Sequence, residues 1–202
     1  MKKKGSFLMT VGVLLILAAA GLSGYNIYES TQAQIVSDRA VEKMTEVITD
    51  VEPQTVGEQP DYVTFPEKEM PTIEIDGERY IGMLEIPDLN MTLPVAAGEW
   101  SYAKLRKAPC RYSGSVYQDD LVVAGHNYRS HFSKLKSLDI GSEIRFIDID
   151  GNVFYYSIGW IDILQATDVE EMTDAAEWDM TLFTCTYGGK ERYTIRCIRT
   201  EE

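Results

Sequence analysis

Histidine and cysteine are scarce in this chain: His126 and His131 are the only histidines, and Cys110, Cys185 and Cys197 the only cysteines, among 202 residues. Three cysteines are too few, and of the wrong parity, for a disulfide framework, so at least one thiol is left over. No Cys or His pair stands at zinc spacing, and there is no P-loop, no G-x-G-x-x-G and no internal repeat. A metal hydrolase or a nucleotide enzyme has nothing to stand on, and no cofactor or metal site is expected. Basic residues form no run beyond Lys2, Lys3 and Lys4, and Lys+Arg number 19 against 32 Asp+Glu, a net charge of -13. A phosphate-seeking surface for nucleic acid is therefore excluded, and any anionic partner must be met at a local site. Glycine and proline, 15 and 7, are at ordinary levels, and 45% of residues are hydrophobic, so the chain is neither low-complexity nor wholly disordered and can build one compact domain.

No acidic residue precedes Glu29, and the stretch 5–28 has no charge at all. Its middle, 11–20, is almost entirely Val, Leu, Ile and Ala, and its length suffices to cross a bilayer. The lysines before it and the acids after it place the N-terminus in the cytoplasm and everything from about Glu29 outside it. Ala18 and Ala20 make an A-x-A pattern, the mark of a cleavable signal peptide. The span exceeds a typical signal-peptide core and no lipobox-like cysteine follows, which favours an uncleaved single-pass anchor.

Within 32–49, Ala33, Val36, Ala40, Met44 and Val47 fall three or four apart, the spacing of a helix whose stripe packs on the body or on a twin. The segment 50–71 carries Pro53, Pro60, Pro66 and Pro71 among acidic and polar residues and reads as a linker or an extended arm. These features divide the chain into 1–28 (cytoplasmic tip and transmembrane anchor), 29–76 (stalk helix and Pro-rich linker) and 77–202 (a β-domain). Runs rich in β-branched and aromatic residues then predict about seven strands, at 80–86, 91–95, 121–124, 144–149, 153–163, 181–184 and 193–198. Asp150-Gly151 signals a two-residue hairpin. Short helices are expected at 101–107, 131–138 and 169–178. Many short strands with few helices argue a mainly β fold, a closed or nearly closed barrel.

His126 follows the apolar run Leu121-Val122-Val123-Ala124-Gly125, where a buried strand gives way to a loop. A histidine there can present its imidazole to a cleft while the strand fixes its backbone, as a general acid or base requires. Taken alone, a histidine is more often a surface or structural residue. Cys185 likewise ends Thr181-Leu182-Phe183-Thr184 and opens into a loop, although an unpaired cysteine alone reads as inert packing. Cys197 lies inside Tyr193-Thr194-Ile195-Arg196-Cys197-Ile198 and reads as an ordinary strand residue; Cys110 is undecided. Arg192 opens the final strand seven positions after Cys185, where a fixed positive charge could stabilise a thiolate or an oxyanion. Arg196 and Arg199 are its rivals, and charge pairing in so acidic a chain accounts for each of the three.

Thr181-Leu182-Phe183-Thr184-Cys185 resembles the TLxTC signature of sortases, Gly125-His126-Asn127 resembles their histidine motif, and Arg192 falls where their arginine opens the last strand. The resemblance runs from Tyr80 to the C-terminus. It implies an eight-stranded sortase barrel, with Cys185 as nucleophile, His126 as general acid and base, and Arg192 as holder of substrate and oxyanion. By the same resemblance the substrates are surface proteins with a C-terminal sorting signal, LPxTG-like or NPQTN-like. The acceptor is an amine of a peptidoglycan precursor or a pilin, and the setting a Gram-positive cell surface. A thioester suits such chemistry because it keeps the energy of the peptide bond until an amine arrives. The missing proline after Cys185-Thr186, the short Cys-to-Arg spacing and the helix expected at 169–178 look most like class B. Asp168, Glu170, Glu171 and Asp174 could bind calcium as in some class A members, but a solvated helical face explains them. Two other readings stay open: a secreted cysteine hydrolase using the same thiol and imidazole, and a non-enzymatic anchored β-domain that binds surface proteins.

Overall fold

The structure, a computed structural model, describes residues 2–50 and 60–201. Pro53 and the rest of 51–59, within the expected linker, lie outside the described residues. Helix α1, Lys2–Asp50, is continuous. Nothing between Tyr25 and Asp50 is Gly or Pro, so no residue type that ends a helix separates the apolar stretch from the amphipathic one. The first half leaves its apolar side chains uncovered, Ile16 at 69% exposure for example, and is long and apolar enough to cross a membrane. The second half buries Ala33, Ser37, Ala40 and Met44, spaced four, three and four apart, against the rest of the molecule. Val36 and Val47, counted in the expected stripe, stay 37% and 40% exposed; small side chains at 33, 37 and 40 let the helix approach closely over a narrow contact.

Nine strands follow: β1 Ile73–Ile75, β2 Glu78–Ile86, β3 Met91–Ala96, β4 Cys110–Ser113, β5 Leu121–Gly125, β6 Glu143–Asp148, β7 Val153–Gln165, β8 Met180–Cys185 and β9 Glu191–Thr200. Their order is β1-β2-β3-β4-β5-β8-β9-β7-β6, and β6 pairs back onto β2. Eight strands thus close a barrel, with β1 added at its edge. Alternate side chains fill the interior, among them Leu84, Val95, Val123, Phe146, Tyr156, Leu182 and Ile195. A second apolar cluster lies on the outer face, where Ala40 and Met44 of α1 meet Tyr80, Ala96, Cys110, Ala124 and Phe183. β5 is buried on both sides and reads as an unbroken apolar run for that reason.

The sequence reading missed β1 and β4. β1 has three residues, and β4, Cys-Arg-Tyr-Ser, is half polar and interrupted by a bulge between Arg111 and Ser113. The β1–β2 hairpin turns on Asp76 and Gly77, both at positive φ, as a tight turn of the mirror-image type requires. The expected two-residue turn at Asp150-Gly151 is instead a four-residue loop, 149–152. There the Asp148 carboxylate accepts from the backbone and side-chain amides of Asn152, both at 2.8 Å, and from Tyr117 at 2.7 Å. The short helices are α2 Asp61–Thr64, α3 Tyr102–Leu105 and α4 Val169–Thr173. The last is shorter than expected because the backbone turns extended at Asp174. The expected helix at 131–138 is a 3-10 helix, Phe132–Ser137. The described end of the arm lies on the barrel: the Tyr62 ring stacks 4.8 Å from that of Tyr117, and Met70 is buried in the core.

Candidate functional site

Three neighbouring strands end together. β5 and β8 run parallel with Gly125 opposite Thr184, and β8 and β9 run antiparallel with Cys185 opposite Arg192. Val123, Leu182 and Ile195 point into the barrel core, so strand alternation turns Cys185 and Arg192 to the outer face. His126, one residue beyond the last paired position of β5, continues that strand at the level of Cys185. Gly125 is required here: a Cβ at this position would lie 2.2 Å from the ring of Phe132, which is fully buried. The Phe132 amide in turn donates to the His126 carbonyl at 3.2 Å, fixing the turn out of the strand.

The His126 ring stacks on Tyr128, centroids 3.7 Å apart and planes 25° from parallel. The Tyr128 hydroxyl donates to Glu29 of α1 at 2.9 Å. Burial pushes the His126 imidazole below its ordinary pKa; the Glu29 carboxylate opposes this, and the Arg106 guanidinium adds to it. Glu29 accepts hydrogen bonds from Tyr25 and Tyr128, which hold its carboxyl below the usual range, and Arg106 stands 3.8 Å away. Neither Nδ1 of His126 nor Oδ1 of Asn127 has a partner, although both atoms are buried.

Cys185 is half-buried, whereas Cys110 and Cys197 are wholly buried. Burial drives the Cys110 thiol up to about 12 and the Cys197 thiol higher, so neither supplies a thiolate near neutral pH. Arg192 donates through Nη1 to the carbonyls of Gly189 (3.0 Å) and Glu191 (3.1 Å) in the loop after Cys185. In that loop Gly188 and Gly189 take positive φ, and Tyr187 is 99% exposed. The rival arginines are committed elsewhere. Arg196, 3% exposed, donates to the carbonyls of Glu171 and Met172 and to Thr181, and Arg199 pairs with Asp119 and lies over Phe154.

His131 is not brought to the site. It is fully buried, its Nε2 lies 3.2 Å from Ser37 Oγ, and that hydroxyl donates to the Lys107 carbonyl at 3.0 Å. His131 thus fastens α1 to the barrel, and burial lowers its pKa to about 4. The acids near α4 serve local turns: Asp168 accepts from the Gln165 amide and Asp174 from that of Ala176. Among the described residues no group of three His, Cys, Asp or Glu is placed to hold a metal ion.

A cavity of about 800 Å³ lies beside His126, between α1 and the segment 126–130, and reaches Thr186 and Gly188 just after Cys185. Sequence reasoning missed Tyr128, Glu29 and the helical wall of this cavity. The available signals were an aromatic residue two places after His126 and the absence of any helix breaker between the apolar stretch and Asp50.

A sequence model of the sortase domain matches residues 84–200, more than half of the chain. The chain belongs to the sortase family. Solved structures agree on the fold. A sortase D5 transpeptidase of Clostridium perfringens superposes with a TM-score of 0.60 at 18% identity over 82% of this chain and 99% of its own. Sortase C1 of Streptococcus agalactiae gives 0.62 at 18% identity over 81% and 99%, and sortase A of Corynebacterium diphtheriae 0.55 at 17% over 92% and 96%. At such identities the likeness speaks to the fold alone. These relatives carry the class names D, C and A and lend no support to the class B reading. No curated protein matches in sequence.

Proposed function

We infer from its membership of the sortase family that this chain is a cysteine transpeptidase. We propose that this chain is a membrane-anchored sortase that cleaves a C-terminal sorting signal and passes the new carboxyl end to an amine. Cys185 attacks the scissile carbonyl and the amine leaving group departs with a proton from His126. The thioester is then opened by the acceptor amine, whose proton returns through His126 to the Cys185 sulfur. Arg192 holds the substrate and the developing oxyanion once its guanidinium leaves the Gly189 and Glu191 carbonyls. The observation that carries this reading is the strand register that sets His126, Cys185 and Arg192 at one end of β5, β8 and β9. A solved relative, sortase C of Clostridium perfringens with the C-terminal cell wall sorting motif, makes such a signal the first substrate to try. By this reading the apolar half of α1 is a single-pass anchor, with the N-terminus cytoplasmic and the barrel outside.

The test is intact-mass spectrometry of the full chain in detergent with LPxTG-like and NPQTN-like peptides. The expected result is an acyl adduct on Cys185 that hydroxylamine removes. An alkylatable Cys185 that forms no adduct with either peptide refutes these two signals, and an inert, inaccessible Cys185 favours the non-enzymatic β-domain. Acyl-enzyme that passes only to water, never to amine, points to a cysteine hydrolase.

A further inference from the structure

Accepting the transpeptidase reading, the cavity beside His126 has the position a second substrate needs. An amine must approach the thioester carbonyl and give up a proton to His126, and the cavity has His126 in its wall and ends at the loop that follows Cys185. Its opposite wall is the anchor helix. Ser30, Gln34 and Asp38, four residues apart on one face of α1, line it. The buried atoms without partners, His126 Nδ1 and Asn127 Oδ1, belong to residues of this same lining, the state expected of groups that a ligand completes.

The lining also carries charge of both signs. Asp38 is its one carboxylate, while Arg129 and Lys134 are exposed and take part in no ion pair among the described residues. Several other basic residues also make no ion pair, but these are the two of them that line the cavity. Together with the carboxylate opposite, they suit a molecule that has an ammonium at one point and an anion at another.

We propose that this cavity receives the acceptor, that α1 is thereby a wall of the reaction site as well as an anchor, and that the acceptor is an amine on a chain bearing an anionic group. The amine nitrogen forms a bond to the acyl carbon while the carbon–sulfur bond breaks. The nitrogen loses one proton to His126, which returns it to the Cys185 sulfur. Arg129 and Lys134 hold the anion, a carboxylate or a phosphate.

The test measures, on the full chain in detergent with an acylating sorting peptide, the ratio of amine product to hydrolysis product. Four acceptors are compared at equal concentration: 1,5-diaminopentane and lysine, which is the same diamine with a carboxylate, then ethanolamine and O-phosphoethanolamine. Lysine, O-phosphoethanolamine or both should exceed the counterpart that lacks the anionic group about tenfold, and whichever does so names the anion. The double variant Arg129→Glu, Lys134→Glu should erase that preference. Gln34→Trp, which fills the cavity, should lower the ratio about tenfold for every amine, whereas Glu46→Trp, exposed on α1 away from the cavity, should not. Equal ratios within both pairs, or an unchanged ratio in Gln34→Trp, overturn the inference while the transpeptidase reading stands. Absence of any thioester on wild-type Cys185 removes that reading and the inference together.

Discussion

The hydroxyl of Tyr128 donates to the carboxylate of Glu29 at 2.9 Å across a separation of 99 residues, joining the stacked partner of His126 to the first acidic residue of the chain. Glu29 follows the uncharged stretch directly, so one hydrogen bond ties the edge of the apolar half-helix to the candidate general base.

The charge on Glu29 favours the imidazolium of His126 and works against burial. In Glu29→Gln that support is lost and the His126 pKa falls. The acidic limb of the pH–rate profile should therefore move to lower pH, and imidazole NMR shifts should titrate lower by the same amount. An unmoved limb means that Glu29 and His126 are not electrostatically coupled in solution.

The three candidate residues differ in what their loss should cost. Cys185→Ala should end acyl-enzyme formation, while His126→Ala and Arg192→Ala should each lower transfer by about 10²–10⁴-fold. All three lie at the surface end of their strands, so circular dichroism and Tm should stay near wild type. Cys110→Ser and Cys197→Ser should keep activity, and loss of acylation in either without unfolding would point to another nucleophile.

His131 should make the fold acid-sensitive. Its folded pKa of about 4 lies below the ordinary histidine value of about 6.5, so the unfolded chain binds the proton first as pH falls. Stability is fully present above about 6.5 and declines as pH drops toward 4, by on the order of 3 kcal/mol at most. His131→Gln should flatten that decline in urea melts at a series of pH values. An equally steep decline in the variant assigns it to other groups.

Helix α1 should contribute to the barrel's stability rather than merely tether it. Met44 is fully buried against the outer face, and Met44→Ala should cost about 2–5 kcal/mol, read as a lower denaturation midpoint. A cost near zero would mean that the helix leaves the barrel readily.

Gly125→Ala should uncouple activity from stability. The added methyl forces the Phe132 ring aside, an overpacking that typically costs about 1–3 kcal/mol. The same shift moves the next residue, His126, so kcat should fall while the protein remains folded at room temperature.

The barrel was legible where a strand has one consistent environment. β5 and β8 are buried along nearly their whole length; β5 appears in the sequence as an apolar run just before His126, and β8 as a β-branched and aromatic run that ends at Cys185. β4 was hidden because its residues face mixed surroundings and a bulge breaks its alternation. The loop after β6 misled because Asp150-Gly151 matches a tight turn, yet Asn152 hydrogen-bonds back to Asp148 and widens the loop. At the site, Cys185, His126 and Arg192 each read as ordinary when taken alone, and it was the sortase-like motifs around them at strand ends that singled them out. The helical wall did not, because polar residues such as Ser30, Gln34 and Asp38 on a helix look like an ordinary solvated face until the tertiary contact is known.

An unbroken α1 makes the orientation of the barrel a question of helical phase. Each residue of a helix advances it about 1.5 Å and turns it about 100°. One residue inserted between Tyr28 and Glu29 would hardly change the height of His126 above the apolar half, yet would swing the cavity mouth more than a quarter turn around the shaft. Seven residues would lift it about 10 Å and nearly restore its heading. Height and heading are thus separately adjustable by the length of one helix, and α1 acts as a key whose angle, as much as its length, decides which way the candidate site looks.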